Sequence, residues 1–167
     1  SRSAVVDSSE SVLKPLTSAQ TTAYEAICAQ FNEKQTVLLH GATASGKTEI
    51  YSHLIADTLE RGEQVLYLVP EIALTTQLTD RLRRAFGARL GVYHSRFSDA
   101  ERVEIWNNLL QGDGYQVVIG ARSALFLPFE KLGLVIVDEE HDTSYKQTDS
   151  APRYQARNAA VVLASLH

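Results

Sequence analysis

Residues Gly41-Ala42-Thr43-Ala44-Ser45-Gly46-Lys47-Thr48 form a complete G-x-x-x-x-G-K-T loop. It follows the apolar run Thr36-Val37-Leu38-Leu39-His40 and precedes a helix-patterned stretch from Lys47 to about Glu60. The chain must therefore end a strand and open a helix around one short glycine turn. That geometry aims several backbone N–H groups and the positive helix end at one point, a setting suited to a di- or triphosphate. Gly46 lets the backbone approach the phosphates, Lys47 can reach the β/γ oxygens, and Thr48 can place a hydroxyl on Mg²⁺. The alternative is an ordinary glycine turn with an exposed lysine. The flanking strand and helix favour the phosphate loop.

The rest of the chain repeats the strand–helix alternation. Thr17 and Gln20 read as a capping box opening a helix whose apolar stripe is Ala23, Ile27 and Phe31. Gly62 marks the stop of the helix after the loop. Strands are predicted at Gln64 to Val69, Leu90 to Tyr93, Gln116 to Gly120 and Leu134 to Val137. Helices are predicted over Ala73 to Phe86 and, behind a second capping box at Ser98 and Glu101, through Trp106 to about Leu110. Val117-Val118-Ile119 and Leu134-Val135-Ile136-Val137 are unbroken apolar runs, as expected of parallel strands buried on both faces. The fold class is thus α/β, a mainly parallel sheet with helices on both faces and ligands at the carboxyl ends of the strands.

At 167 residues, 44% hydrophobic and 22% charged, the chain suits one globular domain. The expected division is a polar tail or linker over residues 1–14 and one domain over 15–167. No apolar stretch approaches a bilayer span, and Ser1-Arg2-Ser3-Ala4 lacks a signal-peptide core, so a cytoplasmic protein is expected. Cys28, the single cysteine, rules out an internal disulfide or cysteine zinc cluster in this chain and reads as a structural thiol in a helix. The net charge of −4 argues mildly against a broad polyanion-binding surface but leaves room for a local cationic strip.

Asp138-Glu139-Glu140-His141 directly follows the strand ending at Val137. A carboxylate there, beside a strand that ends in a phosphate loop, can hold Mg²⁺. The next acid, Glu139, can polarise the water that attacks a γ-phosphate. Alone, the acidic run could be a solvated turn; combined with the upstream loop, it reads as metal ligand and base. His141 could couple the site to a neighbouring segment or simply pack.

The pairing of G-A-T-A-S-G-K-T with D-E-E-H resembles superfamily 2 helicases. The intervening segments resemble the PriA-type family of primosomal replication-restart helicases: Val69-Pro70-Glu71-Ile72-Ala73-Leu74-Thr75-Thr76-Gln77, His94-Ser95, Ile119-Gly120-Ala121-Arg122-Ser123-Ala124-Leu125-Phe126, Asp138 through Lys146-Gln147, and Arg153-Tyr154-Gln155-Ala156-Arg157. The resemblance runs from about Leu16 to the carboxyl terminus. It implies a RecA-like P-loop NTPase fold, the first motor domain of an ATP-dependent DNA helicase in replication restart. It carries over Gly41, Thr43, Ser45, Gly46, Lys47, Thr48 and Glu139 as ATP contacts, Thr48 and Asp138 as Mg²⁺ ligands, and Lys47, Asp138 and Glu139 as catalytic residues. Gln20 aligns with an adenine-reading glutamine, although the same side chain can complete the capping box. Thr75, Thr76, Arg122 and Ser123 could touch the DNA backbone without reading sequence, or serve as caps and surface groups. Tyr145, Lys146, Arg153 and Tyr154 suit base stacking and phosphate contact, with edge packing of the tyrosines as the alternative.

The implied partners are single-stranded or forked DNA, a second RecA-like domain with the other domains of a full-length protein, and other primosome proteins, without a membrane. Two departures stand out. Ala44 occupies a position where the family commonly has glycine, and alanine tolerates positive φ poorly. The chain also stops at His167, before any second motor domain or arginine finger. The expectation is an excised fragment that binds nucleotide weakly and hydrolyses little. The rival readings are another superfamily 2 DNA translocase and a non-catalytic, nucleotide-switched interaction module.

Overall fold

The computed structural model describes residues 13–31, 36–40, 44–111, 114–139 and 159–165. In chain order the elements are α1 (Ser18–Phe31), β1 (Thr36–His40), α2 (Ala44–Glu60), β2 (Gln64–Leu68), α3 (Thr76–Phe86), β3 (Leu90–Tyr93), α4 (Asp99–Leu110), β4 (Val117–Gly120), β5 (Leu132–Glu139) and β6 (Ala160–Ser165). Short 3₁₀ turns lie at Glu71–Ala73, Gly87–Arg89 and Arg122–Phe126. The strands form one sheet in the order β1-β6-β5-β2-β4-β3, and every pairing is parallel.

The unbroken apolar strands are buried on both faces, as their composition requires. Along β2, Val65 and Tyr67 pack with Ile27 of α1, Tyr51 and Ile55 of α2, and Leu82 and Phe86 of α3. The alternate residues Leu66 and Leu68 pack on the other face with Ile105 and Leu109 of α4, and with Leu127 and Phe129. Each fully buried aliphatic side chain contributes about 1.5–3 kcal/mol, so neither face could be left uncovered. No helix among the described residues is long and apolar enough to cross a membrane.

Both capping boxes form. Thr17 N–H donates to Gln20 Oε1 at 2.9 Å and Gln20 N–H to Thr17 Oγ1 at 3.2 Å. Ser98 and Glu101 make the reciprocal pair at α4. Gly62 adopts φ 75° after α2, the left-handed conformation that glycine reaches without a Cβ penalty. Gly120 answers a different demand: a Cβ there would lie 3.0 Å from both the Ala124 Cβ and the Tyr93 carbonyl.

Four expectations are corrected. The helix predicted to start at Lys47 begins at Ala44. Ala44 therefore needs no positive φ, and among the described residues no non-glycine residue adopts one; in a helix, alanine is the better former. The helix predicted over Ala73 to Phe86 is divided. Pro70, at φ −58°, leads a 3₁₀ turn, and Leu74 departs from helical backbone at ψ 69°. Thr75 then turns extended and caps α3 by accepting from Leu78 N–H.

The strand predicted to stop at Val137 continues through Asp138 and Glu139, because Ala164 and Ser165 of β6 pair with them. That sixth strand, not predicted, also separates β5 from β1. The acids thus lie two strands from the loop strand instead of beside it.

Thr75→Ala removes a side-chain acceptor at the α3 N-terminus and is expected to cost about 1 kcal/mol. Thr76→Ala should stay within about 0.5 kcal/mol. Denaturant titration of the two variants checks this. Burial, followed by a hydrogen bond to Asp57, raises the Tyr24 phenol pKa. Burial raises that of Tyr67 as well. Because the unfolded phenols ionise first, this stabilisation is complete below about pH 10 and is lost as pH climbs above it. Melting temperatures are expected to fall above about pH 10, with a shallower fall in Tyr24→Phe.

Candidate nucleotide site

Parallel pairing brings the carboxyl ends of all six strands to one edge of the sheet. On that edge, register puts His40 of β1 opposite Ser165 of β6, and Ser165 opposite Glu139 of β5. The chain leaving β1 becomes α2, whose first turn carries Gly46, Lys47 and Thr48. Lys47 is 0% exposed and Thr48 7%, an uncommon depth for a lysine. Both side chains sit where a helix N-terminus directs its unsatisfied N–H groups.

The two halves of the site meet through Tyr67. On β2, Tyr67 pairs with Ile136 of β5; Asp138, two residues further on, shares the sheet face of Ile136. The Tyr67 hydroxyl lies near the side chains of both Thr48 and Asp138, close enough for each to bear on its ionisation. Burial is the main reason its pKa lies well above the ordinary phenol value, with the nearby Asp138 charge second. A neutral phenol can donate its one proton to the carboxylate and accept from the threonine hydroxyl. The ring is 1% exposed and meets Tyr51 edge-on at 5.5 Å between centroids.

Gln20 joins this region from α1: besides its capping bond, its Nε2 donates to the Gly46 carbonyl at 3.2 Å. Beside Thr48 a cavity of about 260 Å³ opens between α2 and α3, lined in part by Lys14, Glu49, Gln77, Arg81 and Arg84. Arg81 and Glu49 form a half-buried ion pair at 2.5 Å across it.

Further along the same edge lie the candidate DNA contacts. Thr75 and Thr76 are exposed after β2, and Arg122 is exposed after β4. Strands β2 and β4 are neighbours, so these residues are gathered on the half of the sheet away from β1. Ser123 differs from them: its hydroxyl is buried and has no hydrogen-bond partner among the described residues. Cys28 is partly buried on α1, and burial raises its pKa, which suits an unreactive thiol.

The structure describes Ser45 and Glu139 as backbone positions on α2 and β5. Gly41, Thr43, His141, Tyr145, Lys146, Arg153 and Tyr154 lie outside the described residues. Tyr67 was not anticipated as a site residue. Its one signal in the sequence is a hydroxyl-bearing side chain inside the aliphatic run Val65-Leu66-Tyr67-Leu68-Val69.

Comparison with known proteins agrees with this arrangement. The DEAD/DEAH box helicase family model matches residues 17–164. Replication restart protein PriA of Synechocystis sp. is 55% identical over 124 residues, 74% of this chain and 15% of that protein. PriA of Bacillus subtilis is 44% identical over 155 residues, 92% of this chain and 19% of that protein. The chain thus spans less than a fifth of either relative. Among solved structures, RecG bound to a three-way DNA junction superposes with a TM-score of 0.71 at 26% identity, covering 90% of this chain and 21% of that one. The helicase MrfA bound to DNA and AMPPNP shares the fold, at a TM-score of 0.62 and 18% identity over 90% of this chain and 24% of that one. From the glycine loop at the end of β1 to the acids at the end of β5, this chain belongs to the DEAD/DEAH box helicase family.

Proposed function

We propose that this chain is the ATP-binding motor domain of an ATP-dependent DNA helicase acting in replication restart. The observation that carries the reading is the meeting of Thr48 and Asp138 on one buried hydroxyl. It joins the glycine loop to the acid strand, and these two groups are the ones a Mg²⁺·nucleotide needs together. The donor set fits the ion, a hard cation that favours hydroxyl and carboxylate oxygens. Likeness to PriA over most of the chain supports the place in replication restart.

In this reading Gly41 to Thr48 wrap the phosphates with backbone N–H groups, and Lys47 neutralises the β/γ oxygens. Mg²⁺, when bound, offsets phosphate charge. Thr48 and Asp138 would hold it. Glu139 accepts the proton of the attacking water, a role worth about 10²–10⁴-fold in rate. Gln20 keeps a second amide hydrogen and a second carbonyl lone pair for the adenine edge.

Thr75, Thr76, Arg122 and Ser123 would hold the phosphate backbone of single-stranded DNA, with Tyr145, Lys146, Arg153 and Tyr154 adding stacking and charge. Lys47, Thr48 and Asp138 lie along the same sheet edge as Thr75, Thr76 and Arg122, so movement at the nucleotide can reach the strand. Forked DNA, further motor and accessory domains and other primosome proteins complete the proposed partners.

The test is DNA-stimulated ATP turnover by the full-length gene product. Glu139→Gln should lower turnover at least about 100-fold while nucleotide binding persists. Unchanged turnover would sink the hydrolase reading and leave a nucleotide-switched module.

A further inference from the structure

Tyr67 has no part in the phosphate or acid motifs, yet it is the group on which both converge. Three observations place it there. Strand register sets it beside Ile136, one pleat short of Asp138 on the same face. Helix α2 packs its first turns on that face, so Tyr51 meets the Tyr67 ring edge-on and Thr48, one turn earlier, reaches its hydroxyl. The ring is sealed at 1% exposure, so water does not compete for the hydroxyl.

The directions open to this hydroxyl matter. A buried neutral tyrosine has one proton to give, and the carboxylate can only accept. Tyr67 is therefore placed to donate to Asp138 and to accept from Thr48. A threonine proton turned toward the phenol leaves the Thr48 oxygen lone pairs for a ligand. One carboxylate position of Asp138 is held at the same time. A phenylalanine would fill the same core space without either effect.

We propose that Tyr67 is a positioning residue that orients Thr48 and Asp138 for Mg²⁺, acting through those two side chains without touching the ion. The inference rests on the nucleotide–Mg²⁺ reading of the site. Outer groups that orient metal ligands typically cost 10–100-fold in metal affinity when removed.

The experiment titrates Mg²⁺ against fluorescent ADP binding for the wild type, Tyr67→Phe, Asp138→Asn and the double variant. Tyr67→Phe is expected to raise the Mg²⁺ midpoint about 10-fold and leave metal-free ADP affinity within about 2-fold. In the Asp138→Asn background the same substitution should add clearly less than its effect in the wild type, since one of the two groups it acts through is changed. An unchanged midpoint, a parallel loss of metal-free affinity, or a fully additive double variant would each overturn the proposal. A wild type whose ADP affinity ignores Mg²⁺ overturns the site reading and this inference together. Should Tyr67→Phe fold poorly, 3-fluorotyrosine at position 67 gives a second readout. Its fluorine resonance should move when Mg²⁺ is added to the ADP-bound protein, and a fixed resonance counts against the proposal.

Discussion

The site depends on the parallel ladder β1-β6-β5. Each pairing fixes how far one strand end projects relative to the next, and the register makes His40, Ser165 and Glu139 level. With strands about 4.8 Å apart, the exits of β1 and β5 are separated by about 10 Å. That gap leaves room for phosphates and a hydrated metal between the loop and the acids. A slip of one residue would exchange the faces of every side chain on the moved strand. Asp138 would then turn away from α2, and the site would be lost before any catalytic residue changed.

Depth is the second condition. The strands are apolar on both faces, so polar groups enter this sheet only at its carboxyl edge, and each one there needs a partner. Tyr67 meets this condition beside Thr48 and Asp138, in a layer otherwise made of Val65, Ile119, Ile136 and their neighbours. Lys47 and Thr48 are equally sunken. The nucleotide half of the edge is therefore deep and enclosed. The half after β2 and β4, with Thr75, Thr76 and Arg122, is open to solvent. Enclosure suits phosphate chemistry, and an open ledge suits a polymer that slides.

Much of this was legible in the residues themselves. Both capping boxes and the unbroken apolar strands depend on local chemistry, and they appear as read. What escaped depends on contacts distant in sequence. Strand β6, Ala-Val-Val-Leu-Ala-Ser, has modest strand propensity; its place between β1 and β5 is a property of the sheet. Asp138 and Glu139 were placed just past the strand end because their extended conformation is imposed by that same strand. The break before α3 follows from Pro70 and the Thr75 cap, signals present in the sequence but outweighed there by the apolar periodicity that continues to Phe86. Tyr67 looked like core because it is core; only the docking of α2 reveals what its hydroxyl does.

One divalent ion with a nucleotide should bridge the first turn of α2 and the end of β5. A crystal of this chain grown with Mn²⁺ and a non-hydrolysable ATP analogue tests it through the anomalous signal of the metal. A single peak is expected about 2.1 Å from Thr48 Oγ1, facing Asp138 directly or across one water, with the phosphates against Lys47. A nucleotide bound elsewhere, or a metal peak remote from both Thr48 and Asp138, would contradict it.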